Sequence, residues 1–146
     1  MDTNEINKII FKHAEPPQYE HAFTLQELAA AIHANARAKG FYEGHFNTGE
    51  KLMLVVSELA EALEHHRMTG GSPIHPSVLM LVENSPDEMF PAMFKDNIKD
   101  TFEDEMADAI IRILDLCAAR NIQIERHIIL KMRYNASRPH KHGKLY

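Results

Sequence analysis

Amphipathic helices account for most of the chain, because apolar residues recur at helical spacing in four segments and no segment shows the alternation of a strand. The first segment follows the capping-box residues Thr24–Glu27 and is predicted to be helical over 25–39. Further helices are predicted from 47 to about 68, from about 100 to 119 and from about 124 to 136. Helices with one apolar stripe each must pack against one another, so the sequence predicts an all-α fold built on an antiparallel four-helix bundle.

The remaining segments flank or connect these helices. With 146 residues, the chain is long enough to bury a substantial core as a single domain. We expect an N-terminal arm at 1–22, the bundle at 24–136 and a basic tail at 137–146. An insertion with four prolines lies at about 69–99, and a short helix is predicted to start within it at Ser85–Glu88.

Composition and charge exclude several classes of protein. The chain carries 16 Lys and Arg against 21 Asp and Glu, and this negative balance gives no electrostatic footprint for duplex nucleic acid. No apolar run reaches the roughly 18–20 residues of a membrane span, and the first residues lack the pattern of a signal peptide. The single cysteine, Cys117, excludes an intrachain disulfide and a cysteine-based zinc finger. We therefore expect a protein of the reducing cytoplasm, with no membrane partner.

Two pairs of carboxylates mark the second and third long helices. Glu58 and Glu61 stand three residues apart, as do Glu105 and Asp108, and this spacing places both members of a pair on one helix face. In a helical projection, each pair borders the predicted buried stripe of its own helix, so the four carboxylates converge if the stripes pack together. The stripes comprise Leu52, Val55, Leu59, Ala62 and Leu63 on one helix and Ala107, Ile110, Ile113, Leu114 and Cys117 on the other.

Four carboxylates that are close together and partly desolvated repel one another, so they must take up protons or bind cations. Hard oxygen ligands favour Mg²⁺, with Mn²⁺ as a substitute, and Mg²⁺ held by carboxylates is a usual partner of nucleotide phosphates. The alternative is that the pairs belong to a solvated acidic face, which Glu64 would extend along the second helix.

Two other kinds of metal site compete with this interpretation. A di-iron carboxylate bundle needs Glu-x-x-His on two helices, and no glutamate of the two pairs has a histidine three residues further on. A zinc site formed by His65, His66 and His75 is an alternative, and the simpler interpretation of these residues is that they are surface histidines.

With these residues identified, the chain resembles the MazG-like, all-α nucleoside triphosphate pyrophosphohydrolase superfamily, and in particular the dCTP and dUTP pyrophosphatases. The resemblance rests on the pattern E-x-x-E … E-x-x-D, on the flanking sequences EKLMLVVSELAEALE and FEDEMADAIIRILDLC, and on the ending KMRYNASRPHKHGKLY. It spans roughly residues 24–146. It implies Mg²⁺-dependent cleavage of a nucleoside triphosphate between the α- and β-phosphates, and assembly as a homodimer or homotetramer.

The resemblance implies roles for the carboxylates and for one lysine. Glu58, Glu61, Glu105 and Asp108 match the metal ligands of the superfamily, and Lys131 matches a lysine that contacts phosphate. As catalytic residues, we expect Glu61 to help hold the metal, Glu58 to orient the attacking water and Lys131 to place a positive charge at a phosphate.

The resemblance also implies substrate contacts. Asn135 matches an asparagine near the sugar or base, and Arg138 is a further candidate phosphate contact. His33 and Tyr42 stand where similar pyrophosphatases carry a histidine and an aromatic residue that help to enclose the base. The alternatives are that His33 is a hydrogen-bonded interhelical histidine, that Tyr42 only covers the end of the bundle, and that Lys131 and Asn135 share a solvated helix face.

Two features depart from the superfamily pattern. The interval between the carboxylate pairs is longer than in compact members, because of the insertion, which could form a lid, an oligomer contact or a specificity loop. Arg112 follows Asp108 by four residues, where some base-enclosing members have an aromatic residue. We expect Arg112 either to contact a phosphate or to neutralise Asp115 or Asp108.

Two further functional classes stay open at this point. A nucleotide- or metal-sensing helical module would keep the same ligands without turnover, and a structural helical oligomer would carry a solvated acidic face. Apolar side chains of the insertion fit either a contact between copies or packing against the chain's own bundle. These side chains are Met89, Phe90, Met93 and Phe94.

Overall fold

A computed structural model describes residues 24–139, which form six helices and no strand. The helices are α1 (Leu25–Ala38), α2 (Thr48–Thr69), α3 (Pro76–Glu83), α4 (Phe90–Asn97), α5 (Phe102–Ala119) and α6 (Ile124–Ala136). The predicted all-α class is confirmed, and the four long helices lie where the sequence predicted them. The predicted N-terminal arm, and the basic tail from residue 140 onward, lie outside the described residues. None of the six helices is long and apolar enough to cross a membrane.

Side chains that cap the helix ends explain why the long helices begin where they do. Thr24 and Glu27 form the predicted capping box at the start of α1. The Asn47 side chain accepts from the first backbone amides of α2, and the Thr101 hydroxyl accepts from Asp104 N in α5. At the other end of α2, Gly70 adopts the left-handed conformation with φ 70°, which a glycine takes without steric cost.

Helix α5 is the centre of the fold. Helices α2 and α5 pack antiparallel, as contacts between their opposite ends show. Phe102 N, at the start of α5, donates to His65 near the end of α2, and Arg120 donates to Thr48 at the start of α2. Helix α1 packs on another side of α5, and α6 contacts α1, where Gln26 N donates to Glu125. The arrangement positions the middle of α2 opposite the middle of α5.

The predicted buried stripe of α2 is only partly correct. Val55 and Ala62 are buried, but Leu52, Leu59 and Leu63 stay 45–51% exposed. The reason is that the surface of α2 that meets α5 is rotated toward the carboxylates. Glu58 therefore lies within the helix contact, 5% exposed, and not at its edge as predicted.

Helix α5 shows the same rotation, since Leu114 and Cys117 are buried while Ala107, Ile110 and Ile113 are exposed. At about 100° per residue, the exposed apolar residues lie roughly a quarter turn from the contact surface on each helix. Because the helices are antiparallel, the two rows open on the same side of the pair. We call this surface the apolar face, and it comprises Leu52, Val56, Leu59, Leu63, Ile110 and Ile113, each 42–52% exposed.

The insertion contains two short helices that pack against each other, α3 and α4. Val82 of α3 is buried, whereas Met89 and Phe90 are exposed. The helix predicted to start at Ser85–Glu88 begins later, at Phe90. Pro86 forms a turn instead, because its carbonyl accepts from the amides of Met89 and Phe90, and Pro91 then fits the first turn of α4.

Candidate functional site

Three carboxylates meet where α2 packs on α5. Carboxylate oxygens of Glu58, Glu105 and Asp108 all lie within 4.8 Å of one another, and we call this group the acidic cluster. Glu58 and Glu105 are each only 5% exposed, while Asp108 is less buried. The spacing of three residues on α5 and the facing position on α2 bring the three together, as the sequence predicted for members of both pairs.

The cluster holds negative charge in a desolvated place. Burial raises the pKa of Glu105 to about 7, helped by a hydrogen bond with Glu58 and by the charges of Glu61, Glu58 and Asp104. Burial also raises the pKa of Asp108, and the charges of Asp104 and Glu58 act in the same direction. The cluster thus favours occupation by protons or by a cation.

Glu61, the fourth predicted ligand, stands apart from the cluster. It is exposed, and it is not among the carboxylates within 4.8 Å of one another. Its charge still contributes to the raised pKa of Glu105, so it lies close enough to act electrostatically.

Arg112 forms an ion pair with Glu58 of the acidic cluster, a partner that the sequence analysis did not predict. Its Nε donates to Glu58 Oε1 at 2.7 Å, and its Nη2 lies 2.6 Å from the same oxygen in an ion pair. Asp115 and Asp108, the two partners expected from sequence, do not take this contact. Arg112 lies one turn after Asp108, on the side of α5 that meets α2, and so it reaches across to Glu58.

A cavity of about 660 Å³ adjoins the cluster. Its walls come from α1, the loop that follows it, the start of α2 and the middle of α5. Arg112 lines the cavity and also holds Glu58, so one side chain is shared by the cavity and the acidic cluster. The other aromatic and polar lining residues are Phe41, Tyr42 and Phe46, the cationic Lys51, the carboxylates Glu43, Glu50 and Asp115, and Asn35, His45 and Asn47.

A hydrogen-bonded network centred on Asp115 forms one wall of this region. Asp115 is 8% exposed, and its two oxygens bind His33 Nδ1 at 2.8 Å and the Tyr42 hydroxyl at 2.7 Å. The pKa of Tyr42 is raised by burial first, and then by the hydrogen bond and the charge of Asp115. The ring of Tyr42 meets His33 edge-on at 4.6 Å and stacks on Phe46 at 5.9 Å.

His33 and Tyr42 differ in their relation to this cavity, because Tyr42 is one of its lining residues and His33 is not. Tyr42 lines the cavity, as a base-enclosing residue would, and Lys51 Nζ lies 4.5 Å from its ring centroid. His33 makes the interhelical hydrogen bond that was the alternative for it. Sequence reasoning missed the structural role of Asp115 and the cavity position of Lys51, because neither residue belongs to a spaced motif.

The C-terminal residues implied by the resemblance lie on α6. Lys131 and Asn135 are exposed, and Lys131 Nζ lies 5.3 Å from the ring centroid of Tyr134. Arg138 lies near the same ring, at 5.8 Å. Within residues 24–139, none of the three forms a hydrogen bond or ion pair with the acidic cluster.

The alternative zinc site does not form in the described part of the chain, where the acidic cluster is the only group of three or more metal-binding side chains. His65 Nδ1 accepts from Phe102 N, and His75 caps α3 by accepting from Ser77 N. His66 packs against the ring of Phe102. The three histidines thus serve three separate local contacts.

Replacing Asp115 by Ala is expected to lower the free energy of unfolding by about 2–4 kcal/mol, because a buried carboxylate with two hydrogen bonds is lost and the Tyr42 hydroxyl loses its acceptor. Urea unfolding followed by circular dichroism measures the change. Asp87→Ala, at an exposed position, is the control and should change stability by less than about 0.5 kcal/mol. A loss of that small size in Asp115→Ala would contradict the importance of the network.

No protein-family model, curated protein or solved structure matches the chain. The geometry of the cluster and the cavity is therefore the basis on which function is argued.

Proposed function

We propose that the protein is a Mg²⁺-dependent nucleoside triphosphate pyrophosphohydrolase, which cleaves its substrate between the α- and β-phosphates to a nucleoside monophosphate and pyrophosphate. The observation that carries the proposal is the position of the acidic cluster beside a cavity that shares Arg112 with it and is lined by aromatic rings and by charges of both signs. The pattern resemblance of the sequence supports the same reaction.

The donor set of the cluster fits a hard divalent cation. All three groups are carboxylates, two are buried, and the pKa values of Glu105 and Asp108 are raised first by burial and then by neighbouring negative charge. Mg²⁺, or Mn²⁺ in its place, held by Glu58, Glu105 and Asp108 with Glu61 nearby, would supply charge neutralisation for the phosphates and for the leaving pyrophosphate.

The cavity suits the nucleoside part of such a substrate. Its volume lies within the roughly 300–1,000 Å³ of small-molecule sites. Tyr42 and Phe46 bring aromatic rings to the lining, and the positive charges of Lys51 and Arg112 lie there together with the carboxylates of Glu43, Glu50 and Asp115. Glu58 is our candidate to orient the attacking water. Lys131, Asn135 and Arg138 stay candidate substrate contacts on the strength of the resemblance.

We also propose that two copies associate through the apolar face, in a homodimer that could pair further into a homotetramer. Leu52, Val56, Leu59 and Leu63 follow the 4-3-4 spacing of helix-packing seams, and the face bears no charged residue among its members. At about half exposure, the six residues offer roughly 500 Å², more than half of the ~800 Å² that each partner gives to a standard interface. A second copy would convert the α2–α5 pair into a four-helix bundle.

Replacing Leu59 by Glu is expected to shift the protein from two chains or more to one chain per particle, because a charge would be buried at the centre of the seam. Light scattering coupled to size-exclusion chromatography measures the mass. Leu79→Glu, at an exposed position of α3 outside the apolar face, should leave the mass unchanged. A single-chain mass for the unmodified protein would refute the dimer.

The proposed reaction is tested by pyrophosphate release across ribo-, deoxyribo- and modified nucleoside triphosphates, with and without Mg²⁺. Metal-dependent release with a monophosphate as co-product is the expected result and names the substrate class. Binding of metal and nucleotide without release would favour the sensing module instead. Absence of both metal and nucleotide binding would refute the proposal and leave the acidic cluster as a structural feature in which Glu58 pairs with Arg112.

A further inference from the structure

Arg112 forms the one ion pair between a guanidinium and a buried carboxylate in residues 24–139. Two of its donor atoms, Nε and Nη2, converge on a single oxygen of Glu58. The Glu58 side chain is only 7% exposed, whereas the Arg112 side chain is 38% exposed. The buried Glu58 side chain is restrained by its surroundings, whereas the partly exposed Arg112 side chain is free to rotate away from it.

The same Glu58 carboxylate belongs to the acidic cluster, whose oxygens lie within 4.8 Å of one another. A divalent cation bound there would lie beside the guanidinium, and two positive charges at this separation repel strongly in a partly buried place. The cation and Arg112 therefore compete for the negative charge of Glu58.

A displaced Arg112 side chain can move into the adjacent cavity. It lines the cavity next to the cluster, and its Nη1 atom has no hydrogen-bond partner among the described residues. Rotation away from Glu58 would keep the guanidinium in contact with the cavity and with solvent, so the charge need not be buried without a partner.

We propose that Arg112 is the resident counter-ion of the acidic cluster, and that a divalent cation must displace it from Glu58 in order to bind. The inference rests on the metal site of the proposed function and adds to it a positioning residue that lowers the affinity for the free cation. The cluster is then partly neutralised when no metal is bound, and its cation affinity is set by a side chain that is not a ligand.

The test compares Mn²⁺ binding to the unmodified protein, Arg112→Gln and Arg112→Lys, by electron paramagnetic resonance of free Mn²⁺ without nucleotide. Glutamine can still donate a hydrogen bond to Glu58 but carries no charge, whereas lysine keeps the charge. We expect Arg112→Gln to bind Mn²⁺ at least about tenfold more tightly, because a neighbouring positive charge is removed, and Arg112→Lys to bind within about threefold of the unmodified protein. A merely structural role of Arg112 would instead weaken Mn²⁺ binding in both variants.

The outcomes separate this inference from the proposed function. Mn²⁺ binding to the unmodified protein without any gain in Arg112→Gln overturns the counter-ion role and leaves the metal site standing. Absence of Mn²⁺ binding in all three proteins overturns both. If Arg112→Gln is unfolded in chelator, recovery of its helical circular dichroism with Mn²⁺, and not with K⁺, supports the displacement, and failure to recover with Mn²⁺ overturns it.

Discussion

Replacing Glu105 by Gln is expected to abolish Mg²⁺-dependent pyrophosphate release, by about 10³-fold or more, while making the metal-free protein more stable at pH 8. Activity falls because the cluster loses one of its two buried carboxylates. Stability rises because Glu105, with its pKa raised to about 7 from an ordinary 4.5, is ionised at pH 8 only at a free-energy cost. At about 1.4 kcal/mol per pKa unit, the gain is on the order of 1–3 kcal/mol.

Opposite signs make this prediction specific to a metal centre, since damage to the fold would lower activity and stability together. Pyrophosphate release and urea unfolding in chelator are measured on the same preparations. Glu64→Gln is the matched control, because Glu64 is exposed on α2 and lies outside the acidic cluster. More than a tenth of the original activity in Glu105→Gln would show that Glu105 is not a metal ligand.

Helix positions could be predicted from the sequence because they depend on local interactions. The capping residues Thr24, Asn47 and Thr101 satisfy backbone amides within three residues of themselves, so their effect can be read from neighbouring letters. The start of α4 is the exception. There the carbonyl of Pro86 accepts turn hydrogen bonds that compete with the predicted helix start.

Which side of a helix is buried depends on its partner, and that could not be predicted as well. Leu59 and Glu58 are adjacent, and hydrophobicity alone predicts that Leu59 is the more buried of the two. The structure reverses the order, because α2 turns its carboxylate side toward α5 and Arg112 compensates the charge of Glu58. The leucines a quarter turn away stay about half exposed, and they form the surface through which we propose that a second copy packs.

Some contacts of the candidate site could likewise be predicted from the sequence, and others could not. Glu58, Glu105 and Asp108 were predicted to converge, since a spacing of three residues on two facing helices constrains them tightly. The network of His33, Tyr42 and Asp115 joins residues that are 73 and 82 positions apart, and no local pattern announces such contacts. Lys131 on α6 stays a prediction of the resemblance, since within residues 24–139 its recorded contact is with the ring of Tyr134 and not with the acidic cluster.

The affinity for Mn²⁺ is expected to fall as the pH drops below 7, by about tenfold per pH unit, because Glu105 must release its proton before it can bind a cation. Between pH 8 and pH 5.5 the predicted loss is about 30-fold. Electron paramagnetic resonance of free Mn²⁺ measures it without nucleotide. Affinity that is constant over this range would contradict a role for Glu105 as a ligand that must be deprotonated.

Without metal, Glu105 makes the protein less stable as the pH rises, whereas the Mn²⁺ affinity increases with pH. The folded state binds the Glu105 proton more tightly than the unfolded state, so the folded state carries more protons between about pH 4.5 and 7. The contribution of Glu105 to the free energy of unfolding is therefore fully present below about pH 4.5, decreases as the pH rises toward 7 and does not change above that. The raised pKa of Asp108 acts in the same direction. Urea unfolding in chelator from pH 5 to 8 tests this as the difference between the unmodified protein and Glu105→Gln, in which contributions common to both proteins cancel. The free energy of unfolding of Glu105→Gln, relative to that of the unmodified protein, should increase with rising pH. A difference independent of pH would mean that Glu105 keeps an ordinary pKa and would remove this argument for cation binding by the cluster.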